Sequence, residues 1–204
     1  MTPRFCRKTS ARLSILIQSP LNINEILLGK MLEVSGKIAY TDEFQKANIV
    51  PKTIRVRKNG TIKENMSFPY FDFIELSREK EWEESKFYNY LAPTKFLFVI
   101  FKENEDEKLV FDRVMFWNIP NKDLEEVGNV WRKTVETIKA GVELTTTSRG
   151  VENNLPKKTE SDVAHVRPHG RNGSDKLPLP DGRMMTKQCF WLNNTYIAEQ
   201  IKEE

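Results

Sequence analysis

The sequence predicts an α/β domain, and three observations carry that expectation. Lys95-Phe96-Leu97-Phe98-Val99-Ile100-Phe101-Lys102 is a nearly continuous apolar run, the pattern of a strand covered on both faces. Farther along, Leu124, Val127, Trp131, Val135 and Ile138 keep one apolar stripe at helical spacing, opened by Pro120 and Asn121 and closed by Gly141. Strand-like segments before and after the apolar run stand between helix-like ones, the order of a mixed fold.

Taken from the N-terminus, Thr9 or Ser10 caps a short helix whose apolar side is Leu13, Leu16 and Ile17, stopped by Pro20. A second packing helix follows through Ile23, Ile26, Leu27, Met31 and Val34, with Gly36 just beyond it. Thr53, Ile54 and Val56 alternate toward Asn59-Gly60, a hairpin dipeptide, with residues 68–76 as the returning strand. Pro69 marks that strand as an edge or a bulge. Residues 79–91 read as a surface helix ended by Pro93, and 109–117 as a strand after a solvated acidic turn. Trp131 belongs to the core rather than to a ligand platform. Residues 145–155 form a loop or weak hairpin, 164–167 a short strand, and 168–182 a long exposed loop rich in Gly, Pro and Asp. Residues 187–192 lead to a terminal helix that Asn193 or Asn194 caps.

A chain of 204 residues with 39% hydrophobic residues, 12 Phe and 4 Trp can bury a core, so residues 1–204 read as a single domain. With 30% charged residues and a mean hydropathy of -0.55, the surface is that of a soluble protein. No window supplies the roughly 18 apolar residues of a membrane span, and the N-terminal cations precede too short an apolar stretch for a secretory signal. Cys6 and Cys189 lack metal or redox spacing and suit reduced thiols in the cytoplasm. The net charge of +3 does not by itself declare a nucleic-acid partner. Its distribution says more: Arg55, Arg57, Lys58 and Lys63 form one basic stretch, and Arg167, Arg171, Arg183 and Lys187 another.

The second stretch contains the chemistry. Ala164-His165-Val166-Arg167-Pro168-His169-Gly170-Arg171-Asn172 is followed by Lys187-Gln188-Cys189-Phe190-Trp191-Leu192-Asn193. Guanidinium, imidazole, amide and aromatic groups on adjacent irregular segments suit a DNA groove. Arg donates two parallel bonds to guanine, Asn or Gln pairs with adenine, and an aromatic packs on a base edge. Arg183 and Lys187 would serve phosphates and position the duplex.

These two segments resemble the MutH mismatch-repair endonuclease and, more closely, the C-terminal halves of GATC-specific type II restriction endonucleases. Further matching stretches are Thr2-Pro3-Arg4-Phe5-Cys6-Arg7-Lys8-Thr9, Lys52-Thr53-Ile54-Arg55-Val56, Lys95-Phe96-Leu97-Phe98-Val99 and Val114-Met115-Phe116-Trp117-Asn118. The resemblance implies a PD-(D/E)XK restriction-endonuclease-like fold, a mixed central sheet flanked by helices. It also implies a bacterial, cytoplasmic protein that binds double-stranded DNA at GATC. By similarity Arg167, Pro168 and His169 fall where the family reads bases, with His169 where the mismatch-repair branch has Lys. Trp191 falls where that branch places an aromatic that senses adenine methylation. Arg171, Asn172, Arg183, Lys187 and Gln188 complete the expected DNA-binding set.

Family members that cleave DNA use an acidic residue followed by Glu-x-Lys. Two carboxylates hold Mg²⁺, which polarises the scissile phosphate and activates a water, while the Lys orients that water. Here Glu43 stands for the first acid and Lys52 for the Lys, but Val50 occupies the second acidic position and Pro51 follows it. The implied state is a catalytic remnant, with Asp42, Asp72 or Glu75 as the acids that could substitute. His165 and His169 have zinc-like spacing, yet Pro168 argues against a helix between them and no third ligand is apparent, so no metal site is assigned. The expectation is a catalytically silent effector domain that needs no cofactor for binding. It would be a fragment or half of a longer restriction enzyme, partnered by a catalytic MutH-like domain or a second copy. The alternative is an active Mg²⁺-dependent endonuclease cutting at GATC.

Overall fold

The computed structural model describes residues 42–148 and 150–202. The two helices expected before Gly36, and Cys6, lie outside the described residues. A short helix, α1 (Asp42–Lys46), leads into β1 (Ile49–Val56). The first sheet has the order β1-β3-β4: β3 (Lys95–Glu103) is parallel to β1 and antiparallel to β4 (Leu109–Trp117). The alternation of a strand divides β3 between two faces. Phe96, Phe98 and Ile100 enter the main core, whereas Leu97, Val99 and Phe101 enter a second cluster with Phe44, Ile49 and Leu109. Both faces are apolar, which explains the unbroken apolar run in the sequence. In register with β3, β1 sets Val50 beside Phe96, Lys52 beside Phe98 and Ile54 beside Ile100.

The Asn59-Gly60 turn forms, but the expected hairpin does not. Gly60 takes a φ of +79° and donates its N–H to the Arg57 carbonyl at 2.8 Å, as the positive-φ turn requires. Pairing across the turn stops at a single bridge, Val56 to Ile62. The chain then leaves for a second sheet, where β2 (Met66–Phe71) and β7 (Ala164–Pro168) flank β10 (Gln188–Leu192), all antiparallel. The strand expected to run to Leu76 ends early because Asp72 caps α2 (Phe73–Arg78), its Oδ1 accepting the N–H groups of Ile74 and Glu75 at 2.9 Å each.

The surface helix expected over 79–91 shrinks to α3 (Lys86–Leu91), whose cap Ser85 accepts the Tyr88 N–H at 3.0 Å. The preceding segment is pulled inward instead. Trp82 is only 2% exposed and its ring lies against Trp131 and Gly128; a Cβ at Gly128 would stand 2.7 Å from the Trp82 ring nitrogen. Glu79 fixes this turn by accepting the Trp131 indole N–H at 3.1 Å and the Lys86 N–H at 3.0 Å.

Helix α4 (Asn121–Ala140) matches its expected span, ends at Gly141 with φ +100°, and buries Trp131 to 1% exposure. It packs on α2 and β7, tying the second sheet to the core. A hairpin of β5 (Leu144–Thr147) and β6 (Gly150–Asn153) follows. Part of the expected loop at 168–182 is ordered as β8 (Lys176–Pro178), which pairs with β9 (Met184–Thr186). The terminal helix α5 (Asn194–Gln200) starts after Asn193, whose side chain makes no capping bond.

Candidate nucleic-acid interface

Strand β10 brings together residues that are distant in sequence. Its register sets Cys189 opposite both Arg167 of β7 and Tyr70 of β2, and sets Trp191 opposite His165. Arg167 is exposed, and its guanidinium carbon lies 5.3 Å from the centroid of the Trp191 ring. The Trp191 indole N–H donates to the Arg167 carbonyl at 3.3 Å, and the His169 ring meets Trp191 edge-on at 5.5 Å. Arg167, His169 and Trp191 therefore form one cluster. Pro168 ends the edge strand β7, where its missing N–H disturbs no ladder. The next N–H, that of His169, donates to the Lys187 carbonyl at 2.9 Å and closes the segment onto β10.

The following loop is internally tied. Asn172 Oδ1 accepts the Ser174 N–H at 3.0 Å and its hydroxyl at 2.6 Å, while the Arg171 N–H donates to Asp175 at 3.2 Å. Asp175 also pairs with Lys187 at 2.8 Å. This bond holds the Asp175 carboxyl below the usual carboxylate range and the Lys187 ammonium above its ordinary value. The Lys187 ammonium rests 4.4 Å from the Tyr70 ring centroid. Between these groups opens a cleft of about 620 Å³ lined by Tyr70, His169, Arg171, Asn172, Asp175 and Lys187.

Two expected DNA-binding residues lie elsewhere. Gln188 is 1% exposed, its Nε2 donates to the Thr186 carbonyl at 3.0 Å, and its Oε1 has no hydrogen-bond partner. Its place in β10 turns it inward, away from any groove. Arg183 is bound to Asp181 and to the Val142 carbonyl at 2.6 Å each, so it braces the β8–β9 turn rather than lining the cleft. Tyr70, in contrast, was not singled out in the sequence. A register shift between β2 and β10 near Pro69 turns Phe71 into the core and leaves Tyr70 51% exposed. The proline was the available signal.

The residues expected to form the cleavage remnant lie on α1 and β1. Glu43 is exposed on α1, and Val50 packs half-buried against the main core. Lys52 donates to the Ser67 carbonyl at 2.8 Å beside the Phe68 ring, and its burial lowers its pKa. Nearby, burial pushes the Cys189 thiol up to about 12. Of the acids that could substitute, Asp42 lies at the surface 3.9 Å from Lys46, Asp72 caps α2, and Glu75 pairs at the surface with Lys86 at 2.6 Å. Among the described residues no three His, Cys, Asp or Glu side chains gather as a metal site. Mg²⁺ requires several oxygen ligands in near-octahedral array, and an alkyl group beside a buried ammonium does not fit it. His165 is 3% exposed and its Nδ1–H donates to Asn193 Oδ1 at 2.5 Å, which commits the ring to the core. Burial lowers its pKa.

Among the described residues no helix is long and apolar enough to cross a membrane. No family model matches the chain. It is 35% identical to the type II restriction enzyme Sau3AI of Staphylococcus aureus over 220 aligned positions, which take in 89% of this chain and 45% of that protein. The chain thus spans less than half the length of the relative it matches, over nearly all of its own.

Proposed function

We propose that this chain is a sequence-specific binding module for duplex DNA containing GATC, and that it does not cleave DNA by itself. The observation that carries the reading is the cluster of Arg167, His169 and Trp191 at the end of β7 and β10. An exposed guanidinium, steadied over an indole that is itself hydrogen-bonded to the Arg167 backbone, is preorganised to donate its planar fork to a guanine edge. The similarity to a type II restriction enzyme, together with the segments that resemble GATC readers, supports duplex DNA as the partner.

The same reading places the chain in the MutH-type, PD-(D/E)XK group as an effector half of a longer restriction enzyme, working with a catalytic half or a second copy. Silence follows from the donor set, since cleavage needs a carboxylate where Val50 stands and an ammonium where Lys52 is taken by a backbone carbonyl. DNA binding needs no cofactor. Fluorescence anisotropy with a GATC duplex and a scrambled duplex, at near-physiological salt in EDTA, tests the proposal. Tighter binding to the GATC duplex is expected; equal affinity for the two overturns it.

A further inference from the structure

The cleft beside the Arg167 cluster is lined by the Tyr70 ring, the Lys187 ammonium and the loop of Arg171 and Asn172. Lys187 is fixed from two directions, by Asp175 at 2.8 Å and by the ring of Tyr70 at 4.4 Å. Its side chain is only 20% exposed, so the ammonium is held in place rather than sweeping through solvent. Tyr70 is the opposite case: a large ring that stays 51% exposed beside the Lys187 ammonium. It occupies the same cross-strand row as Arg167, with Cys189 between them.

We propose that Tyr70 and Lys187 form a backbone-contacting subsite that seats one phosphate and its deoxyribose from the duplex whose bases meet Arg167. This inference rests on the DNA-binding reading above and extends it across β10 to β2. The pairing of groups matches the ligand. A phosphate oxygen accepts from a fixed ammonium, and a sugar offers an apolar face to an aromatic ring that carries a hydroxyl donor. Asp175 then has a defined role: it holds Lys187 in position in the free protein, and the incoming phosphate shares that ammonium. Contacts of this kind fix register without reading sequence.

The test measures the affinity of the wild-type chain, Tyr70→Ala, Tyr70→Phe and Lys187→Ala for the GATC and scrambled duplexes over a range of salt, with circular dichroism to verify folding. Tyr70 is exposed, so its replacement leaves the core intact. Tyr70→Ala is expected to weaken both duplexes by roughly fivefold to tenfold, the scale of one partly buried ring face, with the preference between them unchanged. Tyr70→Phe should retain most of the affinity. Lys187→Ala should weaken both duplexes alike and reduce the salt slope by about 1. If the wild-type chain binds and Tyr70→Ala binds equally well, or loses only its preference for GATC, the subsite is overturned while the DNA-binding reading stands. A wild-type chain that binds neither duplex overturns both.

Discussion

The Arg167 guanidinium carbon lies 5.3 Å from the centroid of the Trp191 ring, and the Trp191 indole N–H in turn donates to the Arg167 carbonyl at 3.3 Å. Each residue restrains the other. The cation is held over an aromatic face, and that face is tied to the strand that carries the cation. An arginine so restrained loses less freedom on meeting DNA than one free in solvent.

Arg167→Ala is expected to erode the preference for a GATC duplex over a scrambled one by about 1–3 kcal/mol. Arg167→Lys should not rescue it, because an ammonium cannot present two parallel donors to a guanine edge. Competition binding with the two duplexes measures the preference directly. A preference that survives the alanine change would remove Arg167 from the base-reading role.

Gln188 provides the complementary case. Its Oε1 is buried without a partner, so replacing the amide by an apolar group of similar volume removes an unsatisfied acceptor. Gln188→Met is expected to change the melting temperature little, the removed acceptor offsetting the lost bond to the Thr186 carbonyl, and to keep the wild-type preference for GATC. Loss of that preference in a stably folded variant would mean that the amide reaches a base after all.

Stability should depend on pH through His165. Burial lowers its pKa below the ordinary 6.5, so between that lowered value and 6.5 the unfolded chain binds a proton that the folded chain does not. The stability is fully present above the unfolded value and is lost as pH falls through this window. Urea midpoints at about pH 7.5 and about pH 5.5 should fall further for the wild-type chain than for His165→Gln, which removes the titrating group. Equal falls in the two proteins would refute this assignment.

What the sequence revealed and what it hid have separate physical causes. The β3 run, the span of α4 and the core placement of Trp131 were legible because burial imposes a period that no distant residue alters. The path after Asn59-Gly60 was not, because a turn dipeptide specifies a local reversal and not the strand that pairs next. Asp72, with Glu75 three residues later, is a helix-start signature that lay unused inside the expected strand. At the site, Arg167, His169 and Trp191 could be gathered from their segments, but the orientation of Gln188 depends on the two neighbours of β10. Tyr70 emerged only through the register shift between β2 and β10.

The central claim is that binding and chemistry come apart in this chain, and one assay addresses it: the purified protein with a GATC duplex, followed for binding in EDTA and for strand cleavage after Mg²⁺ is added. The account predicts a complex in EDTA and an uncut duplex in Mg²⁺, since Val50 packs against the core where a metal ligand is needed and Lys52 is held by the Ser67 carbonyl. Val50→Glu should not restore cutting by itself, because Pro51 shapes the strand and a carboxylate misplaced by about 1 Å can lose on the order of 10²-fold in rate. Cleavage of the GATC duplex by the unmodified chain in Mg²⁺, abolished by Glu43→Ala or Lys52→Ala, would contradict the account and establish an active endonuclease.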